Sequence, residues 1–101
     1  MPEQRVNILV YRTDGTLIAQ YLLGDGEHLI GRDINCPVYL DSEHISSNHA
    51  KLHLSAEGIY IEDLNSTSGT FLDGVTVRGK LCIKPGQVLQ VGDLTVDLQP
   101  E

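Results

Sequence analysis

Residues 46–74 read SSNHAKLHLSAEGIYIEDLNSTSGTFLDG, and the alternation inside this stretch decides the fold class. Ala50, Leu52 and Leu54 fall on every second position, with Lys51 and His53 between them. A period of two puts one set of side chains on one face, the pattern of a half-buried strand. Ala56-Glu57-Gly58 supplies a turn, after which Ile59, Ile61 and Asp63 resume the alternation, so the two runs make a hairpin. Polar clusters bracket it: Ser46, Ser47 and Asn48 before, and Asn65-Ser66-Thr67-Ser68-Gly69 after. Such clusters between apolar runs are loops, because short polar side chains bond the local backbone. Pairing of the strands brings both loops to one end of a sheet and sets Ser46 near Thr67.

The same grammar extends outward in both directions. Val6 to Arg12 and Thr16 to Leu23 are β-rich runs around Thr13-Asp14-Gly15, and Asp-Gly between such runs signals a hairpin. Asp25-Gly26 ends the second run, and Glu27 to Ile30 forms a third that delivers Arg32 into a loop over residues 33–37. Val38-Tyr39-Leu40 is a short strand, followed by the polar stretch Asp41 to Asn48. Downstream, Phe71-Leu72 and Val75-Thr76 flank the turn Asp73-Gly74, and Lys84-Pro85-Gly86-Gln87 places Pro and Gly as a type II turn requires. Val88 to Val91 and Leu94 to Leu98 form a last hairpin about Gly92-Asp93. No window of about a dozen residues sustains helical periodicity, while turn signals recur roughly every ten residues. The expectation is all-β, a sandwich or a barrel.

The chain of 101 residues suits a single domain spanning 1–101, which a longer protein can carry, and 41% apolar residues are enough to close a core. No apolar run approaches the roughly 20 residues that span a bilayer, and the first residues lack the charged and apolar regions of a signal peptide. A cytoplasmic protein with no membrane association is expected. Cys36 and Cys82 lie far apart without metal-type spacing, so free thiols are expected. The net charge of −7 argues against a nucleic-acid surface, which needs surplus Lys and Arg. A single anion is still within reach, because screening over about 8 Å mutes distant carboxylates but not an arginine in contact.

Three motifs follow in order: Gly31-Arg32; then Ser46 and His49; then Asn65-Ser66-Thr67-Ser68-Gly69-Thr70-Phe71 with Asp73-Gly74. In that order they resemble the forkhead-associated (FHA) domain, and the resemblance covers nearly the whole chain. The resemblance implies a two-sheet antiparallel β-sandwich with binding loops at one end. It further implies a phosphopeptide-binding module that recognises phosphothreonine on a partner protein, a substrate of a Ser/Thr kinase, in phosphorylation-dependent signalling. No cofactor, metal or catalysis is implied, and the isolated domain is expected to be monomeric.

Each residue also has a plainer reading. Arg32 by itself would be a solvated loop charge, yet a guanidinium offers planar paired donors to phosphate oxygens and stays charged. By resemblance it contacts the phosphate. Ser46 would otherwise cap a turn; by resemblance its hydroxyl binds phosphate. Thr67 could merely close a turn, but the resemblance places it beside the phosphothreonine. Ser68 stands where the family often has an asparagine that grips the peptide backbone, and Ser47 where a longer polar or basic side chain is common. These two departures bear on affinity and selectivity more than on fold. His49 is expected to bridge two loops through one donor and one acceptor, and Asn65 to hold its own loop through side-chain to backbone bonds. Gly31, Gly69 and Gly74 serve as backbone devices.

Other chemistries are weaker. His44, His49 and His53 suggest a metal, with Asp41 or Glu43 nearby, but His49 and His53 on one strand lie about 13 Å apart, too far to share one ion. Ser46, His49 and Asp63 are the residue types of a hydrolase triad, yet no nucleophile-elbow signature surrounds the serine. An alternative to phosphopeptide binding is a scaffold of the same fold whose protein contacts ignore phosphate.

Overall fold

In the computed structural model, which describes residues 5–101, the alternating runs pair as eleven strands. They are β1 (Val6–Tyr11), β2 (Leu17–Leu23), β3 (Gly26–Gly31), β4 (Val38–Tyr39), β5 (Ala50–Ser55), β6 (Gly58–Asp63), β7 (Thr70–Leu72), β8 (Val75–Thr76), β9 (Lys80–Ile83), β10 (Leu89–Val91) and β11 (Leu94–Pro100). Two sheets result, ordered β2-β1-β11-β10-β7-β8 and β4-β3-β5-β6-β9. The described residues contain no helix long and apolar enough to cross a membrane.

Alternation explains which faces meet. Val6, Ile8 and Val10 of β1, with Leu89, Val91, Leu94 and Val96, are buried against Ile30, Ala50, Leu52, Leu54, Ile61 and Ile83 of the other sheet. Each fully buried aliphatic side chain of this kind contributes roughly 1.5–3 kcal/mol. Along β5 the pattern is strict: Ala50, Leu52 and Leu54 are buried while Lys51, His53 and Ser55 are half-buried on the outer face. The Tyr21 hydroxyl on β2 donates to the Tyr39 carbonyl on β4, joining one sheet to the other.

Turn chemistry fixes the hairpins. Asp73 (φ 49°) and Gly74 (φ 80°) both take left-handed backbone, and Leu72 pairs with Val75 across the two-residue turn. The Asp73 carboxylate also accepts from the Val88 N–H at 2.8 Å, tying this hairpin to the Lys84–Gln87 turn. Asp14 accepts from the Thr16 N–H at 2.9 Å, and hydrogen bonding from Thr16 holds its carboxyl below the usual range.

The architecture differs from the expectation in three places. The sandwich is mostly antiparallel, because β3 and β4 pair in parallel through Ile30–Val38 and Gly31–Tyr39. Parallel neighbours normally need a long crossover, but β4 is so short that the loop over residues 32–37 suffices. Lys80–Ile83, which shows no alternation, is the edge strand β9 on β6; only Ile83 of it is buried. Val88 lies outside β10 and is 54% exposed.

Strand directions gather the polar loops. The connections β3–β4, β4–β5 and β6–β7 emerge at one end of the sandwich, where the β10–β11 turn joins them through the Gly92 N–H donating to the Gly69 carbonyl at 3.0 Å.

Candidate functional site

The site begins where β3 ends. The Arg32 N–H donates to the Ser46 carbonyl at 3.0 Å and the Asp33 N–H to the Ser47 carbonyl at 3.2 Å, zipping two loops together backbone to backbone. This approach depends on Gly31. A Cβ there would lie 2.1 Å from the Ser47 carbonyl oxygen, so any side chain would force the loops apart. The Cys36 thiol lies under the same junction, its Sγ 3.5 Å from the Ser47 carbonyl oxygen. Burial chiefly, aided by Asp33, pushes that thiol's pKa up, so it stays a protonated, packed group. Cys36 and Cys82 are both free.

His49 is fully buried at the start of β5. Its Nδ1 lies 3.0 Å from the Ser46 backbone nitrogen and its Nε2 2.8 Å from the Gly69 carbonyl oxygen. A backbone N–H can only donate and a carbonyl can only accept. Nδ1 is therefore the acceptor and Nε2 carries the proton, which fixes the neutral tautomer. Its main chain is tied as well: the His49 N–H donates to Ile30, and its carbonyl accepts from Leu64. One residue thus joins the β4–β5 loop, the β6–β7 loop and strand β3.

Asp63, the last residue of β6, organises the β6–β7 loop. Its carboxylate accepts from the Ser66 hydroxyl at 2.6 Å, the Thr70 hydroxyl at 2.8 Å and the Ser66 N–H at 3.3 Å. Ser66 Oγ in turn accepts from the Gly69 N–H at 3.1 Å. Burial raises the Asp63 pKa, but the hydrogen bonds from Ser66 and Thr70 outweigh it and hold the carboxyl below its ordinary value. Thr70 is itself fully buried. The sequence reading gave Asp63 no such task. An acid three residues before a serine and seven before a threonine was the available signal, a local side-chain to backbone pattern.

With these supports the two polar loops meet. Ser46 Oγ accepts from the Thr67 N–H at 3.1 Å. That bond uses a hydroxyl lone pair and leaves its proton free to donate outward. Arg32, Ser47, Thr67 and Ser68 are exposed around it, and Arg32 has no ion-pair partner among the described residues. Gly69 supplies the carbonyl shared by His49 and Gly92, in left-handed backbone (φ 93°). Asn65 acts differently from the expectation. It takes φ 57°, a conformation asparagine tolerates, and the side-chain bonding falls to Asp63 and Ser66. The site is thus an uncommitted guanidinium beside hydroxyl and N–H donors held by a rigid frame, an arrangement suited to a compact, multiply charged anion.

The other constellations are wired differently. His49 Nδ1 is spent on the Ser46 N–H, not its hydroxyl, and Asp63 serves Ser66 and Thr70, so no triad forms. The histidines do not converge either: His53 lies between Glu62 at 2.9 Å and Glu27 at 3.5 Å, whereas His44 is exposed beside Glu43.

A family model for the FHA domain matches residues 28–92, which takes in all three motifs. The chain belongs to the FHA domain family. FHA domains are phosphothreonine-binding modules. The FHA domain-containing protein FhaB of Mycobacterium tuberculosis is 33% identical over 89 residues, covering 87% of this chain and 57% of that protein. The chain thus spans a little over half the length of this curated relative. Among solved structures, the FHA domain of the CT664 protein from Chlamydia trachomatis matches with a TM-score of 0.83 at 24% identity, covering 94% of this chain and 96% of that one. An FHA domain from a study of phosphothreonine-dependent interactions matches with a TM-score of 0.81 at 23% identity, covering 94% and 95% respectively. These two likenesses establish the two-sheet fold.

Proposed function

We propose that this FHA domain binds a phosphothreonine peptide of a partner protein through Arg32, Ser46, Ser47, Thr67 and Ser68, with Gly31, His49, Asn65 and Gly69 holding the loops. The observation that carries the reading is the 3.1 Å bond from the Thr67 N–H to Ser46 Oγ. It locks the two loops side by side next to an arginine without an ion-pair partner among the described residues. In an acidic protein of net charge −7, such a locally bare cation is where a dianionic group would gain most. The domain does no chemistry in this reading and needs no cofactor or metal; His49, which would have to serve as a base, has both ring nitrogens committed. Residues 1–101 act as one module, monomeric and cytoplasmic, and the partner is the substrate of a Ser/Thr kinase.

Titration of matched phosphorylated and unphosphorylated threonine peptides tests the proposal, with Arg32→Ala as the control. Charge-assisted hydrogen bonds contribute roughly 1.5–3 kcal/mol each, so loss of a paired set weakens phosphopeptide binding by about two decades or more. Equal affinity for the two peptides would select the phosphate-independent scaffold. Unchanged binding by a folded Arg32→Ala protein would remove Arg32 from the site.

A further inference from the structure

A second cation stands at the binding end, on a connection that the three motifs do not include. The crossing from β8 to β9, residues 77–79, is stitched to both feet of the β6–β7 loop. The Val77 N–H donates to the Thr70 carbonyl at 2.8 Å, and the Gly79 carbonyl accepts from the Asp63 N–H at 3.1 Å. Arg78 lies between these two anchors. Val77 is 2% exposed and packs inward, while Arg78 is exposed and has no ion pair or side-chain hydrogen bond among the described residues. Asp73, the carboxylate nearest along the chain, accepts from the Val88 N–H and the Gln87 amide, and Asp63, whose main chain holds Gly79, is engaged by Ser66 and Thr70. The other cations of the chain are placed otherwise. Arg5 pairs with Glu101, Lys51 with Glu27, Lys80 lies over the Tyr60 ring, and Lys84 sits on the β9–β10 turn that is bonded to the Asp73-Gly74 hairpin. Arg12, on the far rim of the same end, lines a small cavity with Asp41 and Asp93.

We infer that Arg78 forms a second anion subsite, which reads an acidic group, carboxylate or second phosphate, on the peptide whose phosphothreonine sits at Arg32. The inference rests on the phosphothreonine reading above. Strand order sets the spacing: from β3, which delivers Arg32, to β9, which follows Arg78, the sheet runs β3-β5-β6-β9. Three pairings at roughly 4.8 Å amount to about 14 Å. An extended peptide spans that distance in about four residues. A peptide crossing the β4–β5 and β6–β7 loops therefore carries an anionic side chain about four residues from the phosphothreonine to Arg78. Because Arg78 is solvent-exposed, the gain is modest and salt-dependent.

The test uses the whole chain and calorimetric titration of phosphothreonine peptides that differ at one position, about four residues to either side of the phosphothreonine. Glu, phosphoserine and Gln are compared at that position. The wild type is expected to bind the Glu peptide about twofold to fivefold tighter than the Gln peptide in one of the two placements, and the phosphoserine peptide tighter still. In R78Q the ratio falls to about one, and R78K retains part of it. The phosphoserine and Glu arms distinguish a second phosphate from a carboxylate as the favoured group. Absence of any acidic preference in the wild type, or its survival in R78Q, overturns the inference while leaving phosphothreonine binding in place. If no phosphothreonine peptide binds the wild type at all, the reading of Arg32 fails first, and the subsite falls with it.

Discussion

Replacement of His49 by alanine tests the frame of the site. The imidazole is the sole hydrogen-bond partner of the Ser46 N–H among the described residues, at 3.0 Å. Losing it strands that donor at a cost of about 1–3 kcal/mol. The Gly69 carbonyl loses the bond from Nε2 but keeps the one from the Gly92 N–H at 3.0 Å. Its loss is therefore nearer a net bond, about 0.5–1.5 kcal/mol. Water entering the vacated space repairs part of the first term, while the cavity left by a fully buried ring adds to the total. The sum is about 2–4 kcal/mol, which for a domain of this size lowers the melting temperature by roughly 10–25 °C. Phosphopeptide affinity falls as well, because the β4–β5 and β6–β7 loops must be reordered on binding. Thermal melts paired with peptide titration check this. Melting unchanged with binding abolished would make His49 a direct ligand contact, and both unchanged would make the bridge dispensable.

Three further outcomes are expected. Gly31→Ala puts a methyl 2.1 Å from the Ser47 carbonyl oxygen, against backbone that cannot rotate away; a loss at or above about 3 kcal/mol is expected in urea melts, and a near-neutral result would show that the loops separate easily. For Asp63, whose folded pKa is depressed by Ser66 and Thr70 against burial, the stabilisation is complete above the ordinary carboxylate value of about 3.9. It is lost as pH falls below that, through the depressed folded value. Asp63→Asn should therefore cost about 1–3 kcal/mol at neutral pH and flatten the acid limb of the stability profile, leaving a residual slope from Asp14, which is depressed in the same sense. An unaltered acid limb in urea melts across that range would refute the assignment. Ser68→Asn adds an amide that can both donate to and accept from a peptide backbone; one net bond of roughly 0.5–1.5 kcal/mol tightens phosphopeptide binding about twofold to tenfold, and weaker binding by a folded variant in calorimetry would show that this loop does not face the peptide.

What the sequence determined by itself was everything whose cause is local. The two-residue alternation of β5 and β6, the Asp73-Gly74 turn and the Pro85-Gly86 turn follow from side-chain period and from φ preferences within a few residues. The order of the three motifs was enough to recognise the family and to single out Arg32, Ser46 and Thr67. Tertiary structure decided what depends on which distant residues become neighbours. Strand β9 has no alternation because an edge strand with one buried side chain needs none; β6 recruits it by pairing Ile59 with Ile83. The need for glycine at position 31 comes from the Ser47 carbonyl, far along the chain. The His49 tautomer is set by a backbone donor and a carbonyl on two different loops. Arg78 comes to the binding end only because β8 and β9 lie in different sheets and their connection crosses beside the β6–β7 loop. Hydrogen bonds and close approaches between residues remote in sequence leave no periodic trace in the chain, and for that reason the frame of the site had to be seen folded.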